Sequence, residues 1–416
     1  MNADIQFTAT LGELTDALNS VAVAITSRRG LPVMTGVLIA SDGEQVTLSA
    51  FDYETSINVA LNADVTGAGR VLLPHAELLK LCRGAAKGDT VKVWRQHHVE
   101  LAVVDGEVTL SVAGFVLPVD TMPVEDYPVL PAAGRETVES FIIDRDVLLA
   151  EVKRLCVSAG DDDTLPVLKQ INMQLDYGTL TAATTDRFQM GVAEIPVQTP
   201  DWGGIRGQWD VPAAPLLKVA KLLPAGPVTV QLPQPGERIT SWITVSRGLV
   251  TATLNLFDGE YVRYRQVLNS PQTTAAANRA ELLRATVKAE AMSVGRPPLV
   301  RVEIRPGSVT VVPGVDNEST RRPVGRSVPA ETDLAHGHLE FAFNPAYLRS
   351  ALEVIDGDQV AIGFTPGKKP ALFAGDPADL QSLTGPYLHL VMPVALPDPP
   401  VVPAPRVVTA SVGSAL

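Results

Sequence analysis

Apolar residues recur along this chain in three rounds, each passing from a helical period into strand-like alternation. A helix pattern built on Leu14 returns at Leu148 and at Leu282, with 148 − 14 = 134 and 282 − 148 = 134. The stretch Leu31-Pro-Val-Met-Thr-Gly-Val-Leu-Ile39 resembles Leu165-Pro-Val-Leu-Lys-Gln-Ile-Asn-Met173 and, more weakly, Arg296-Pro-Pro-Leu-Val-Arg-Val-Glu-Ile304. A strand follows each time, at Val46-Thr-Leu-Ser, Leu180-Thr-Ala-Ala and Val309-Thr-Val-Val. A helix opened by proline comes next, at Pro74, Pro212 and Pro345, where the missing N–H is not needed. Glu125-Asp-Tyr-Pro128 matches Gly259-Glu-Tyr-Val262 at 259 − 125 = 134. A fixed period of this length signals repeated structural units. The pattern predicts three α+β modules, at 1–131, 138–268 and 275–396, each with two helices.

Between the helices the alternation predicts strands at Val91-Lys-Val-Trp, Val99 to Val104 and Val108 to Val112, with Asp105-Gly106 as a hairpin turn. Val228 to Leu232 and Ile239 to Val245 repeat this in the second module. Pro131 to Arg135 and Asn269 to Thr274 read as linkers, and the Pro-rich 397–416 reads as a disordered tail. One corner stands out. Thr184, Thr185 and Asp186 carry side chains that initiate turns, and Arg187, Phe188 and Met190 stand together where the chain leaves them. Such a corner is either packed over or the wall of a binding cleft.

Composition narrows the class. With 416 residues, 46% hydrophobic and 5% aromatic, the chain suits two or three domains with aliphatic cores. No apolar run is long enough to span a membrane, and MNADIQF lacks the features of a secretion signal. Cys82 and Cys156 lie in apolar helical runs and read as buried free thiols, so a cytoplasmic location is expected.

The net charge of −12 argues against nucleic acid unless the bases are segregated. They recur with the repeat. Lys80 and Arg83 on the Pro74 helix are matched 138 residues later by Lys218 and Lys221, and Arg349 falls near the same place in module three. The other helix carries Lys153 and Arg154 in module two and Arg284 and Lys288 in module three, while Arg28 and Arg29 precede the first Leu-Pro stretch. Pairs three or four apart share a helix face. Such faces are ordinarily just solvated; side by side they would form a track for phosphates that reads no bases. Module one is the exception, since its first helix carries Glu13 and Asp16.

No nucleotide-binding loop, hydrolase elbow, HExxH or CxxC occurs. His97-His98 reads as part of a hairpin-like turn, His336-Gly-His338 as a loop, and Asp161-Asp-Asp163 as a solvated loop. The expectation is a binding protein with no cofactor, no metal and no catalysis.

Taken together, LPVMTGVLI, SAFDYE at Ser49–Glu54, LPVLKQINM, TTDRFQM, LFDGEYVRYRQVL at Leu256–Leu268 and Val391-Met-Pro-Val-Ala-Leu396 resemble the bacterial DNA polymerase III β subunit (β sliding clamp) family, over residues 4–396. The resemblance implies an α+β clamp fold with inner helices and outer antiparallel sheets. It implies a head-to-tail homodimer, module one against module three, that encircles duplex DNA independently of sequence as a processivity factor. The polymerase α subunit, an ATP-driven clamp loader and other clamp-motif proteins would be its partners.

Family partners insert a Gln-x-x-Leu-Phe-like peptide between modules two and three. Matched residue by residue, that cleft comprises Leu168, Thr185, Arg187, Phe188, Gln189, Met190, Val262, Val267, Pro370, Leu390, Met392, Pro393, Val394 and Ala395. Gln189 and Ala395 stand where arginine is common, Met190 where leucine is common, and Val262 where proline is common. These departures point to a second clamp, selective in its partners or insensitive to a clamp-targeting cyclic peptide antibiotic. The competing reading is a clamp-fold scaffold that no longer encircles DNA.

Overall fold

A computed structural model of the chain describes residues 5–26, 30–104, 106–131, 139–199, 206–233, 242–294, 298–314, 323–367 and 369–394. Each repeat folds as a helix pair packed on strands. In module one the helices are Leu11–Val21 and His75–Ala85, in module two Arg145–Leu155 and Ala213–Leu222, in module three Arg279–Met292 and Pro345–Val354. Local chemistry fixes their ends. Thr10 and Glu13 cap each other's backbone at the first helix, and Asp144, Asn278 and Asn344 accept from the first-turn amides of theirs. Pro74 and Pro212 end a strand and cap the next helix, whereas Pro345 is the first helical residue. Leu11, Leu14, Leu18 and Val21 are fully buried, at spacings of three and four that give one apolar stripe. The helix pair of module one is also tied by the His75 ring, whose Nε2 lies 2.8 Å from the Leu18 carbonyl.

The strands join the modules. In module one the last strand, Phe115–Val119, lies at the edge of a sheet with Glu107–Val112, His98–Val104, Ile5–Thr10 and Asp64–Thr66. In module two the equivalent last strand, Val250–Asn255, does not end its sheet. It pairs with Thr55–Leu61 of module one, in register from Val250 opposite Val59 to Leu254 opposite Thr55. The last strand of module three, Tyr387–Val391, likewise pairs with Gln189–Pro196 of module two, from Gln189 opposite Val391 to Ala193 opposite Tyr387. Sheets therefore run uninterrupted across both module boundaries.

Two tyrosines in the repeated Glu/Asp-Tyr motif close these sheets from behind. The Tyr127 hydroxyl accepts from the Phe51 amide at 3.0 Å, and the Tyr261 hydroxyl donates to the Ala183 carbonyl at 3.3 Å.

Three sequence expectations change. Val91-Lys-Val-Trp is a single helical turn, Val91–Trp94, with the Trp94 amide bonded to the Thr90 carbonyl at 3.0 Å. Four alternating residues carry too little periodicity to distinguish the two, and Val91 and Val93 are both exposed. The following residues explain the turn: Arg95 and His97 carbonyls accept from the amides of Gly12 and Leu11, tying this segment to the first helix. His98 consequently opens the strand His98–Val104 rather than a hairpin turn. The linker after Asn269 is shorter than expected, because Thr273 and Thr274 already belong to the strand Thr273–Asn278. Asp105, residues 239–241, most of the first linker and the tail lie outside the described residues. Both cysteines are free, Cys82 buried and Cys156 half-buried.

The joint between modules two and three holds an unusual buried group. His389 is fully buried, its Nδ1 is 3.2 Å from the Tyr387 hydroxyl, and its Nε2 has no hydrogen-bond partner among the described residues. Gly191 makes room for the Tyr387 ring: a Cβ there would lie 2.5 Å from the hydroxyl. Burial holds the imidazole neutral, with its pKa lowered from 6.5 to about 3. In the unfolded chain the ring takes a proton near pH 6.5, while in the folded one it does not, so the unfolded state gains as pH falls. Unfolding free energy should therefore drop between pH 6.5 and pH 5, at a slope from this group approaching about 1.4 kcal/mol per pH unit. His389→Asn should remove that part of the slope in denaturant titrations across this window.

Candidate functional site

At the joint lies a groove of about 610 Å³, open to solvent. Module two contributes Leu168, from the turn Pro166–Lys169, and the corner residues Thr185, Arg187, Phe188, Gln189 and Met190. The connecting segment contributes Val262, Arg263, Tyr264 and Val267, and module three contributes Pro370, Leu390 and Met392. The floor is buried and apolar at Leu168, Met190 and Leu390, while Phe188, Val262 and Val267 are half-exposed on the walls. An apolar slot with a few polar groups at its edge is built to take apolar anchors.

The corner is rigid for local reasons. Asp186 Oδ1 accepts from the Phe188 and Gln189 amides, each at 2.8 Å, so the carboxylate caps the turn. The Thr185 hydroxyl donates to the Gln189 carbonyl at 2.8 Å and accepts from the Arg187 amide at 3.1 Å. Gln189 turns inward: its Nε2 donates to the Val157 carbonyl at 2.8 Å and to Asp186 Oδ2 at 3.1 Å, leaving Oε1 buried without a partner among the described residues. Arg187 sits at φ 81°, a left-handed conformation that costs a non-glycine residue on the order of 1 kcal/mol or more. Beyond the corner, Phe188 stacks on Tyr347 of module three, centroids 5.9 Å apart, and its carbonyl accepts from the Met392 amide at 2.8 Å.

Of the fourteen cleft positions expected from sequence, eleven line this groove. Pro393 and Val394 do not: the Val394 amide donates to the Ala342 carbonyl at 2.8 Å, which turns that end of the chain onto a neighbouring strand. Ala395 lies outside the described residues. Arg263 and Tyr264 line the groove and were missed. Tyr264 follows Val262 by two residues, in a segment singled out for its motif but sampled only at aliphatic positions. Its hydroxyl is buried without a partner among the described residues, and burial raises its pKa despite the nearby Arg265.

The expected basic residues divide into two groups. Lys80, Lys153, Lys218, Lys221, Arg284 and Lys288 are exposed along their helices, and Arg83 reaches Asn19 Oδ1 at 3.3 Å. Arg154 is instead spent on structure: it pairs with Asp356 across the joint and with Glu151 at 3.5 Å, and lies over the Tyr387 ring at 4.8 Å. Arg349 is paired with Glu290 at 2.9 Å. Neither offers an uncompensated charge. Arg28 and Arg29 lie outside the described residues. Asp162 caps Thr164 and Asp163 pairs with Lys169, and among the described residues no cluster of three His, Cys, Asp or Glu could hold a metal.

Repeated modules fused edge to edge, with an apolar groove at one joint and lysine-bearing helix pairs, define the chain as a clamp-fold binding protein. Models of the DNA polymerase III beta subunit match it in order: the N-terminal domain at residues 5–131, the central domain at 142–262 and the C-terminal domain at 266–384. The chain belongs to this family. It is 27% identical to the beta sliding clamp of Streptomyces coelicolor, covering 92% of this chain and 97% of that protein. It is 26% identical to the beta sliding clamp homolog GriR of Streptomyces muensis, covering 92% and 96%. Among solved structures, the DNA polymerase III subunit beta of Pseudomonas aeruginosa superposes with a TM-score of 0.80 at 22% identity, over 94% of this chain and 100% of that one. A clamp from the same organism bound to griselimycin superposes at 0.79, also at 22% identity.

Asp186→Ala should destabilise the chain by about 1–2 kcal/mol, because it strands the Gln189 amide and side chain in a buried corner. Asp186→Asn, which keeps one acceptor, should lose less; denaturant midpoints at constant slope are the measurement.

Proposed function

We propose that the chain is a DNA sliding clamp: a non-catalytic, cytoplasmic processivity factor whose two copies close head to tail around duplex DNA. The carrying observation is the rule by which its modules join. Each last strand pairs with the third strand of the preceding module's other sheet, and two such strands are left over. One is Phe115–Val119 of module one, with Phe115 66% and Val116 69% exposed. The other is Arg326–Thr332 of module three, whose Arg326–Pro329 half has no outer partner among the described residues. Met292 and Val294, at the end of the helix packed on that strand, are exposed as well. A second copy satisfies both strands by the same contact used inside the chain, and a heterologous contact that closes makes a ring. The modules of such a ring divide as 1–131, 138–268 and 275–396. Exposed Lys80, Lys153, Lys218, Lys221, Arg284 and Lys288 would then face phosphates without reading bases.

The groove at the joint would receive the clamp-motif peptide of a polymerase α subunit, a clamp loader or other partners. Its inward-turned Gln189 supports a second, narrower reading. A chain related to GriR whose groove carries no arginine at that position is a specialised clamp, selective in its partners and weak in binding griselimycin-like cyclic peptides.

Loading onto nicked circular DNA, followed by linearisation, tests the ring. The chain should be retained on the circle and lost from the line, and Val116→Lys should give monomers in sedimentation and no retention. Equal retention on both topologies would instead favour a scaffold that does not encircle DNA. In the groove, Met392→Ala should weaken binding of a Gln-x-x-Leu-Phe peptide by about 1–3 kcal/mol. Gln189→Arg should raise griselimycin affinity; unchanged affinity would remove the specialised reading and leave the clamp.

A further inference from the structure

We infer that the groove selects peptides whose apolar anchors are flanked by carboxylates, and that Arg187 and Arg263 are the residues that select them. The inference rests on reading the groove as a peptide site. Both arginines line its mouth and both are exposed. Neither makes an ion pair or a side-chain hydrogen bond among the described residues; Arg187 only lies over the neighbouring Phe188 ring, at 5.9 Å. This contrasts with Arg154, Arg301 and Arg349, each of which is paired with a carboxylate. Two carboxylates beside Arg187 are already engaged. Asp186 takes three hydrogen bonds from its own turn, and Asp162 is held by Thr164 and only then influenced by Arg187. Two guanidiniums with unfilled donors therefore border an apolar slot, in a protein whose net charge of −12 would otherwise repel an acidic segment.

The backbone at Arg187 makes glycine an unstrained replacement for it. Arg187 occupies φ 81°, where glycine is at no disadvantage and arginine is strained. The turn's own hydrogen bonds, from the Arg187 amide to the Thr185 hydroxyl and from the Phe188 and Gln189 amides to Asp186, hold that conformation, while the side chain is exposed at the groove.

The test uses the full-length protein and two labelled peptides with the same Gln-x-x-Leu-Phe core, one flanked by alanines and one by aspartates. At low ionic strength the aspartate peptide should bind about three- to tenfold tighter, as expected for two exposed ion pairs, and the difference should vanish at high salt. Arg187→Gly should melt no lower than the parent and lose much of the preference, read as the ratio of the two peptide affinities. Arg263→Ala should remove the remainder. Equal affinity for the two peptides in the parent, or an undiminished preference in the double variant, overturns the inference and leaves the groove as a peptide site. Failure of both peptides to bind overturns the peptide reading and the inference together.

Discussion

The architecture depends on one interaction, the pairing of a module's last strand with a strand of the module before it. Across the first boundary this joins Val250–Asn255 to Thr55–Leu61, and across the second Tyr387–Val391 to Gln189–Pro196. Backbone hydrogen bonds fix register as well as contact, because a slip of one residue would turn each buried side chain outward. The side chains at the second joint reinforce the same geometry. His389, Tyr387 and Gly191 fit within it, and Arg154 reaches Asp356 and the Tyr387 ring across it. Modules joined this way share continuous sheets rather than hanging as beads on linkers, which is what the proposed ring requires.

The groove is a by-product of the second pairing. Gln189 and Met190 begin the strand that pairs with Leu390 and Val391, so the corner preceding them is held against module three. The connecting segment, crossing back from Leu256 to Leu268, supplies the facing wall. The three walls therefore come from three parts of the chain whose relative positions are set by backbone pairing. Pockets made this way are preformed, and little ordering cost is left for a peptide that enters.

Much of this was legible in the sequence, because a repeat makes each element vouch for its equivalents. Leu14, Leu148 and Leu282 marked three helices, and the turn chemistry of Thr185 and Asp186 marked the corner. What escaped depends on contacts far apart in the chain. Arg154 looked like a free helix base because Asp356, 202 residues away, is invisible from its neighbourhood. Val91–Trp94 has no counterpart in the other modules, and its helical turn is set by bonds to Leu11 and Gly12. Tyr264 and Arg263 were passed over because only Val262 and Val267 of that segment were matched to the family's cleft, whereas the residues between them also line it.

An edge strand left open is a liability, and its chemistry shows how the liability is contained. Phe115–Val119 carries Pro118, and Arg326–Thr332 carries Pro329 between Arg326 and Glu331. A proline cannot donate to a neighbouring strand, so neither edge can extend a regular ladder with an arbitrary partner. Charged residues on the second edge further disfavour pairing with a copy of itself. The two edges are thus poor templates for aggregation, one presenting Phe115 and Val116 and the other backed by Met292 and Val294. Because they lie on opposite end modules of one chain, each copy offers one of each. A head-to-tail contact between copies, as proposed above, uses both of these strands in every copy only if the series of contacts closes.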